Sequence, residues 1–261
     1  MSNGESERGR DREQPLIEHL IELRTRLLRS LLCIAVMFLA LVSFAGNIYR
    51  LVAGPLVAKL PAGSAMIATE VAAPFLVPFK LCTYLALFLS MPYVLYQAWA
   101  FVAPGLYAKE RRFALPLLVS SIVLFYAGIA FAFFVVFPLV FGFFASVVPP
   151  DVTLMTDINH YLDFVLTMFL AFGLAFEVPI ATVLLIWTGL VSAETLSRAR
   201  PYIIVGAFTV GAALTPPDVL SQVLLSVPMW MLFEAGLYIS RFIPRPSPEA
   251  GEQRNERSPS P

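Results

Sequence analysis

Long apolar runs alternate along this chain with short segments that carry nearly all of its charge. An α-helix needs roughly 20 apolar residues to cross the ~30 Å hydrocarbon layer of a bilayer. Four runs reach this length, near residues 27–47, 79–102, 114–144 and 160–189. The third run is long enough to tilt, and Pro116 and Pro138 are positions at which it can kink. The pattern therefore predicts an all-α integral membrane protein.

A fifth and a sixth span are predicted from the last apolar stretch, residues 201–240, which is interrupted only by Thr-Pro-Pro-Asp from Thr215 to Asp218. Two prolines and an aspartate cannot lie in the middle of a helix in lipid, because the freed backbone carbonyls would lack donors. We therefore expect a turn between short spans at 201–215 and 220–240, which makes six transmembrane helices. A fifth span of about 14 residues rises only ~21 Å, so the bilayer is expected to thin around it.

Composition agrees with this class of protein. Of the 261 residues, 58% are hydrophobic and 14% are charged, whereas soluble domains have about 45–50% apolar and about 25% charged residues. The formal net charge is zero, which gives no indication of nucleic-acid binding. Residues 1–14 and 243–261 lack apolar periodicity, so we predict disordered cytoplasmic tails on both sides of a membrane domain at 15–242.

Lysine and arginine predict the orientation of the spans. Fifteen of the eighteen basic residues fall at the two termini or in the loops after the second and fourth spans. The other three, Arg50, Lys59 and Lys80, lie toward the opposite side. By the positive-inside rule, this asymmetry places both termini in the cytoplasm. Residues 48–78, on the opposite side, contain four prolines and are predicted to form short interfacial helices and turns.

The sequence gives no sign of an enzyme. It lacks the G-x-x-x-x-G-K-[ST] loop that binds nucleotide phosphates and the G-x-S-x-G motif of many hydrolases. His19 and His160 are predicted on opposite sides of the membrane, which argues against a metal site or a Ser-His pair. Cys33 and Cys82 lie inside apolar runs and are predicted to be buried free thiols. We therefore expect no catalytic residue, metal or cofactor.

Two carboxylates on the predicted cytoplasmic side each have two interpretations. Residues Pro15 to Leu28 form an amphipathic pattern in which Glu22 and Arg26 have the spacing of an i,i+4 ion pair. Glu110 lies among basic residues in a predicted tight loop, where it can be a solvated loop charge. From these residues alone, each carboxylate is either such a structural charge or part of a binding site.

Glu177 lies inside the apolar stretch Leu170 to Ile186, with Pro179 two residues later. An isolated charge at mid-bilayer costs several kcal/mol, so this side chain is expected to face other protein or a water-filled defect. An alternative function is therefore a proton-coupled small-solute transporter with Glu177 as carrier. Transporters gather several polar groups at mid-depth, whereas Glu177 is the one ionisable residue clearly at mid-span. Glu234 is expected to pair with Arg241 or to lie at the interface.

Seven short sequence motifs resemble those of a known family. They occur in the same order, and their spacing matches that of the predicted spans. They are HLIELRTRLL (19–28), IATEVAAPF (67–75), YQAWAFVAPGLYAKERR (96–112), PLLVSS (116–121), LAFGLAFEVP (170–179), RPYIIVGAF (200–208) and LTPPDVLSQ (214–222). The likeness runs from about Pro15 to Phe242. The sequence resembles TatC, the multispanning receptor subunit of the twin-arginine protein translocase.

The resemblance implies a receptor and core scaffold that binds the twin-arginine signal peptides of folded precursor proteins. In the family, the acidic residue of the N-terminal motif and the glutamate of the first cytoplasmic loop hold the two arginines. These positions are Glu22 and Glu110 here, and Arg24 belongs to the same N-terminal motif. The chemistry agrees, because a guanidinium pairs bidentately with a carboxylate in a geometry that lysine cannot copy.

The resemblance also implies export driven by the protonmotive force, without ATP, in the bacterial cytoplasmic (inner) membrane. It implies single-span TatA-like and TatB-like partners and self-association within a larger complex. Thr215, Asp218 and Gln222, at the turn between the last two spans, resemble the partner-docking region; alternatively, they only satisfy backbone groups at helix ends. Glu177 fits the family pattern, and its role stays open among contact with a partner or signal peptide, structural or water-organising duty, and proton carriage.

Overall fold

A computed structural model describes residues 4–50, 65–102, 111–147, 155–214 and 219–241. In chain order the elements are α1 (Gly4–Val42), β1 (Ala65–Ile67), α2 (Ala73–Val102), α3 (Arg111–Phe131), a π-helical segment (Ala132–Val136), α4 (Phe137–Val147), β2 (Met155–Asp157), α5 (Ile158–Ala175), α6 (Val178–Trp187), α7 (Ala193–Arg198), α8 (Arg200–Leu214) and α9 (Val219–Ser240). Residues 45–50 are also helical. Regular structure in the described chain is therefore helical apart from two three-residue strands.

Five helical stretches of the described chain are long and apolar enough to cross a bilayer. They are His19–Val42, Ala73–Phe101, Leu115–Phe144, Ile158–Trp187 and Gln222–Ser240. The helices predicted from the four long apolar runs are confirmed. Helix α8 has 15 residues and is about 22 Å long, as expected for a short fifth span. Helix α9 has 22 residues, and the apolar span within it, Gln222–Ser240, has 19 residues, the fewest of the five.

Helix α1 begins at Gly4 and so includes most of residues 1–14, for which the sequence predicted a disordered tail. This stretch lacks an apolar stripe, but it is rich in Glu, Arg and Gln, which have high helix propensity. That residues 1–14 form a cytoplasmic tail outside the membrane domain stays a prediction. The predicted C-terminal tail, residues 243–261, lies outside the described part of the chain.

The third span contains a π-helical segment between α3 and α4. The N–H of Phe137 donates to the carbonyl of Ala132, which is the i→i−5 bond of a widened turn. Pro138 follows this turn directly. In a regular α-helix its ring would collide with the carbonyl four residues earlier, and a wider turn gives that ring room. The irregularity predicted near Pro138 is therefore present as a π-turn, whereas Pro116 lies inside α3 without ending it.

The chain folds as two compact units, Met1–Gly173 and Leu174–Pro261. The core of the first unit is rich in aromatic side chains, and Phe125 and Phe172 are fully buried there. Helix α3 approaches α5 so closely at Gly128 that a β-carbon on this residue would collide with the carbonyl group of Phe172. Membrane helices lack a hydrophobic drive toward one another in lipid, so small residues at such contacts favour close packing.

Strands β1 and β2 form a parallel pair, which corrects the expectation that residues 48–78 hold only short helices and turns. Three-residue strands are too short to show the alternation that predicts a strand. Asp157 accepts hydrogen bonds from the N–H and hydroxyl of Thr69 at 2.8 and 2.5 Å, and from the N–H groups of Asn159 and His160 at 2.8 and 3.1 Å. These donors, the Thr69 hydroxyl above all, hold the pKa of Asp157 well below its usual range.

Asp157→Asn is expected to loosen the β1–β2 pair at neutral pH, because the amide offers one acceptor oxygen where the carboxylate offers two. In the wild type, the lowered pKa means that the carboxylate stabilises the pair above the ordinary aspartate pKa of about 4 and loses this effect as the pH falls further. Hydrogen–deuterium exchange of residues 65–69, corrected for intrinsic rates, measures this. Protection should fall on acidification in the wild type and depend little on pH in the variant. Wild-type protection in the variant at neutral pH would contradict the assignment.

In the second unit, α9 packs against α6 and α8. A β-carbon on Gly236 of α9 would lie 2.7 Å from Cα of Pro179 on α6. Likewise, a β-carbon on Gly211 of α8 would lie 2.6 Å from Oγ of Ser226 on α9. Both contacts of α9 therefore depend on glycines, as is typical of tightly packed membrane helices.

Candidate functional site

Glu22 lies on α1, one turn before Arg26, and the two side chains form an ion pair. Oε1 of Glu22 accepts hydrogen bonds from Nε and Nη2 of Arg26 at 2.9 and 2.6 Å. Nδ1 of His19 lies 4.0 Å from the other carboxylate oxygen, Oε2. The Glu22 side chain is 34% exposed, so solvent still reaches it. The i,i+4 pair that the sequence allowed is therefore present, and it shows this carboxylate holding a guanidinium.

Arg26 also reaches helix α2. Its Nη1 donates to Oε1 of Gln97 at 3.2 Å, and Nε2 of Gln97 donates to the hydroxyl of Tyr93 at 2.7 Å. Gln97 is buried, with 4% of its surface exposed. We call Glu22, Gln97 and Tyr93 the guanidinium pocket, because together they hold the Arg26 head group between two helices. Gln97 was not predicted as a site residue from the sequence. A glutamine within the apolar stretch around Trp99 could nevertheless have indicated a buried polar contact.

Aromatic contacts join the helix ends around this pocket. The imidazole of His19 stacks on Phe101, with ring centroids 4.2 Å apart and planes 20° apart. Nε1 of Trp99 donates to Oγ of Ser121 at 3.1 Å, which ties α2 to α3 in the buried interior. An indole or hydroxyl buried without a partner would be costly, so this bond favours one packing of α2 on α3. Side-chain contacts therefore link the helices that form the pocket to each other and to α3.

Of the other two residues predicted for this site, the structure describes only Arg24. Arg24 is exposed on α1, and residues two apart on a helix do not face each other, so Arg24 points away from the side of Glu22. Glu110 lies outside the described residues. Of the two described residues that the resemblance implied, Glu22 belongs to the pocket and Arg24 does not.

Glu177 lies at the break between α5 and α6. Its N–H donates to the carbonyl of Leu174 at 3.1 Å, and its carbonyl accepts from the N–H of Ala181 at 2.9 Å. Pro179 is in the first turn of α6, where a missing N–H leaves no helical bond unmade. The gap expected from this proline is therefore resolved by ending one helix and starting the next. One carboxylate oxygen of Glu177, Oε1, is buried.

Glu234 pairs with Arg200 and not with Arg241, so the first of its two expected environments is wrong, and a position at the interface stays a prediction. Nη2 of Arg200 donates to Oε2 of Glu234 at 2.8 Å, and Nε lies 2.7 Å from Oε1. Helices α8 and α9 follow one another as a hairpin, which returns Glu234 to the level of the start of α8. The sequence spacing of seven residues between Glu234 and Arg241 showed only proximity along one helix. The pair thus consists of one charge-assisted hydrogen bond and a second close contact between opposite charges.

Gln222, predicted near the last turn, bridges α9 and α8. Its Nε2 donates to the carbonyl of Phe208 at 3.1 Å, and Oγ of Ser226 donates to the carbonyl of Ala207 at 3.1 Å one turn further on. Gln222 thus bonds a carbonyl in the interior of α8 rather than one at a helix end, and its role in partner docking stays a prediction. Thr215 and Asp218 lie outside the described residues.

Several apolar helices of membrane-crossing length, with charged side chains paired between helices, define a multi-pass α-helical membrane protein. The sequence profile of the family described as TatC, Sec-independent protein translocase protein (TatC), matches residues 18–228. The chain belongs to the TatC family, the family that its sequence motifs resemble.

Known relatives agree along nearly the whole chain. The Sec-independent protein translocase protein TatC of Azotobacter chroococcum mcd 1 is 60% identical over 243 residues, which cover 93% of this chain and 95% of the relative. The protein of the same name from Escherichia coli (strain K12) is 59% identical over 229 residues, which cover 88% and 89%. A crystal structure of a protein named twin arginine translocase receptor TatC matches with a TM-score of 0.78 and 34% identity, over 85% of this chain and 98% of that one.

Proposed function

We propose that this protein is the receptor and core scaffold of a twin-arginine translocase and that it binds the twin-arginine signal peptides of folded precursor proteins. Membership of the TatC family supports this, as does the similarity to a protein named twin arginine translocase receptor. The observation that carries the proposal is the Glu22 carboxylate, which already binds a guanidinium at 2.6 and 2.9 Å. Glu110 and Arg24 are assigned to signal-peptide binding from the family motif alone.

Arginine is well suited to recognition at such a surface. Its planar fork presents donors to a carboxylate and to a neighbouring acceptor at once, whereas the lysine ammonium is a compact point charge. Two carboxylates, Glu22 and Glu110, match the two arginines of the peptide in number and in charge. The protein contributes recognition only, and we assign it no catalytic step and no cofactor.

The proposed topology has six spans, with both termini in the cytoplasm of a bacterium and the spans in its inner membrane. Helix α8, with 15 residues, is the short fifth span, and fifteen of eighteen basic residues lie on the cytoplasmic side. Membrane domain 15–242 and cytoplasmic tails 1–14 and 243–261 complete this arrangement. The fifth span is short against ~30 Å of hydrocarbon, which favours local thinning of the bilayer.

The proposed complex contains TatA-like and TatB-like single-span partners and further copies of this chain. Thr215, Asp218 and Gln222 are the proposed docking region at the turn after α8. The hydrogen bond from Gln222 to the carbonyl of Phe208 keeps the start of α9 against α8 and so shapes this region. Export is driven by the protonmotive force, in keeping with the lack of a nucleotide-binding loop in the sequence.

The alternative, a proton-coupled small-solute transporter, finds less support. Such a carrier needs several uncompensated polar groups gathered at mid-depth. In the described chain, Lys80 pairs with Asp163 at 2.7 Å near the start of α5, and Arg200 pairs with Glu234 at 2.7 Å. These pairs compensate charges near helix ends and leave Glu177 as the carboxylate at a mid-span break.

Glu177→Gln is expected to retain most export activity, because the amide keeps the size and the hydrogen-bonding capacity of the side chain while losing the transferable proton. Glu177→Ala is expected to export less, since it removes the polar contacts as well. The measurement is the amount of a twin-arginine precursor exported by cells that carry each variant at matched protein level. Complete loss of export in Glu177→Gln would favour proton carriage by this residue.

The proposed function is tested by binding between the detergent-purified protein and two synthetic signal peptides that differ only in Arg-Arg versus Lys-Lys. The twin-arginine peptide should bind at least about tenfold more tightly, because the lysines lose fork-shaped hydrogen bonds that are worth roughly 1.5 kcal/mol or more. Affinity capture with each immobilised peptide gives a second reading. Equal affinity for the two peptides would rule out recognition through guanidinium geometry.

A further inference from the structure

The guanidinium pocket is occupied by a residue of the receptor itself. The head group of Arg26 makes three hydrogen bonds, two to Oε1 of Glu22 and one to Oε1 of Gln97. Its side chain is only 21% exposed, so most of it is enclosed by neighbouring side chains. The carboxylate assigned to an incoming arginine is therefore engaged before any peptide arrives.

We propose that Arg26 is an internal stand-in for one arginine of the signal peptide, and that Gln97 is a second specificity-determining residue of the same pocket. The incoming guanidinium displaces Arg26 from Glu22 and takes over its contact to the Gln97 carbonyl oxygen. This proposal rests on the proposed function, because it concerns how that peptide is read. It assigns to Gln97 and Tyr93 roles that the sequence motifs alone did not indicate.

The orientation of Gln97 supports a recognition role. Its Nε2 donates to the Tyr93 hydroxyl at 2.7 Å, which leaves the amide oxygen directed at the Arg26 guanidinium at 3.2 Å. Because Gln97 is buried, rotating this amide would break both bonds without replacement by water. The pocket thus presents a fixed neutral acceptor on α2 beside a carboxylate on α1. A guanidinium can donate to both at once, whereas a single ammonium is poorly matched to two acceptors on different helices.

Exchange of Arg26 for a peptide arginine is energetically feasible. Both partners of the Glu22–Arg26 pair keep contact with solvent, at 34% and 21% exposure, and partly exposed pairs contribute little net stability. The hydrogen bonds lost by Arg26 are regained by water around the released head group. The incoming arginine then makes the same bonds, so competition from Arg26 lowers the affinity for the peptide by only a small factor. In the absence of peptide, Arg26 holds the side chains of the pocket in their binding positions.

The first test compares twin-arginine peptide binding to wild type, Arg26→Ala and the control Arg29→Ala. Arg29 is exposed on the same helix, and its replacement by alanine removes the same charge. Arg26→Ala should bind the peptide about two- to fivefold more tightly than the wild type, the factor expected for a partly exposed competing ion pair. Arg29→Ala should bind as the wild type does. Binding to Arg26→Ala that is unchanged or weaker would overturn the competition.

The second test probes the pocket without a peptide. Ethylguanidinium replaces the atoms that Arg26→Ala removes, so at millimolar concentration it should raise the unfolding temperature of this variant. Ethylammonium should not do so, and the wild type should need a concentration of ethylguanidinium about two- to fivefold higher for the same shift, because Arg26 competes for the pocket. Adding Gln97→Leu to Arg26→Ala should abolish the response, because the neutral acceptor is gone. A response that persists in the double variant would overturn the role of Gln97.

The two tests separate the inference from the proposed function. If the wild type fails to distinguish the Arg-Arg from the Lys-Lys peptide but Arg26→Ala still takes up ethylguanidinium, the receptor function fails and the pocket stands. If the wild type distinguishes the peptides but Arg26→Ala neither gains affinity nor responds to ethylguanidinium, the receptor stands and the stand-in role of Arg26 is wrong.

Discussion

Glu110→Gln is expected to abolish export of a twin-arginine precursor while the protein remains inserted in the membrane at its normal level. The substitution keeps the shape of the side chain and removes the charge that pairs with guanidinium. Lys109, Arg111 and Arg112 surround this position in the sequence, so without the carboxylate the loop repels an arginine-rich peptide. Removing one partner of a hydrogen-bonded charge pair costs about 2–5 kcal/mol, so precursor affinity should fall at least about 30-fold.

The control for this variant is Glu194→Gln. Glu194 is an exposed carboxylate in the first turn of α7, in another loop predicted to be cytoplasmic. The Glu194→Gln variant loses the same charge at a position outside the family motif, so it should export the precursor normally. Site-specific crosslinking of the precursor signal peptide to the receptor gives the direct reading. Crosslinking of Glu110→Gln at the wild-type yield would show that this loop carboxylate does not hold the arginines.

The membrane spans could be predicted from the sequence because the signal is physical and local. A helix hides its own backbone polar groups, so a run of about 20 apolar residues suffices to indicate a span without knowledge of its neighbours. The run at 160–189 was predicted as one helix despite Glu177 and Pro179, and the structure ends α5 and begins α6 at these residues. The position of Pro179 indicated that the helix is interrupted there, but not that one helix ends and a second begins.

Contacts between distant residues were the part that sequence could not supply. Glu234 was expected to pair with Arg241 or to lie at the interface, yet its partner is Arg200 of the preceding helix. The β1–β2 pair joins residues about 90 positions apart, and the Asp157 carboxylate adds hydrogen bonds from Thr69. Charged side chains choose partners by geometry in three dimensions, which periodicity along one helix does not encode.

The guanidinium pocket shows the same limit at the candidate site. Glu22 and Arg26 could be predicted as a pair because they share a helix face. Gln97 could not be assigned to them, since the packing of α1 on α2 brings together residues 71 positions apart. A polar residue in an apolar span was nevertheless a usable signal, as it was for Glu177, because a buried amide requires a partner.

Gly128→Ala is expected to have the largest effect on stability among single-methyl changes in the described chain. A β-carbon there would collide with the carbonyl oxygen of Phe172 and lie 2.8 Å from its carbonyl carbon, with Cα of Gly173 at 3.0 Å. All of these atoms are backbone, so no side-chain rotation relieves the overlap and α3 must move away from α5. Overpacking of this kind costs about 1–3 kcal/mol or more, and it outweighs the ~1 kcal/mol by which alanine favours helix over glycine.

Gly142→Ala isolates this packing effect from helix propensity. Gly142 lies on α4, in the same predicted span, and a β-carbon there meets no atom of the described chain within 4 Å. Alanine should therefore leave the unfolding temperature in detergent unchanged or raise it slightly, while Gly128→Ala lowers it by several degrees. The buried Phe125 ring, which lies against the backbone of Gly173, should lose its packing in Gly128→Ala as the helices separate. Similar unfolding temperatures for the two variants would mean that the α3–α5 contact is looser than these distances indicate.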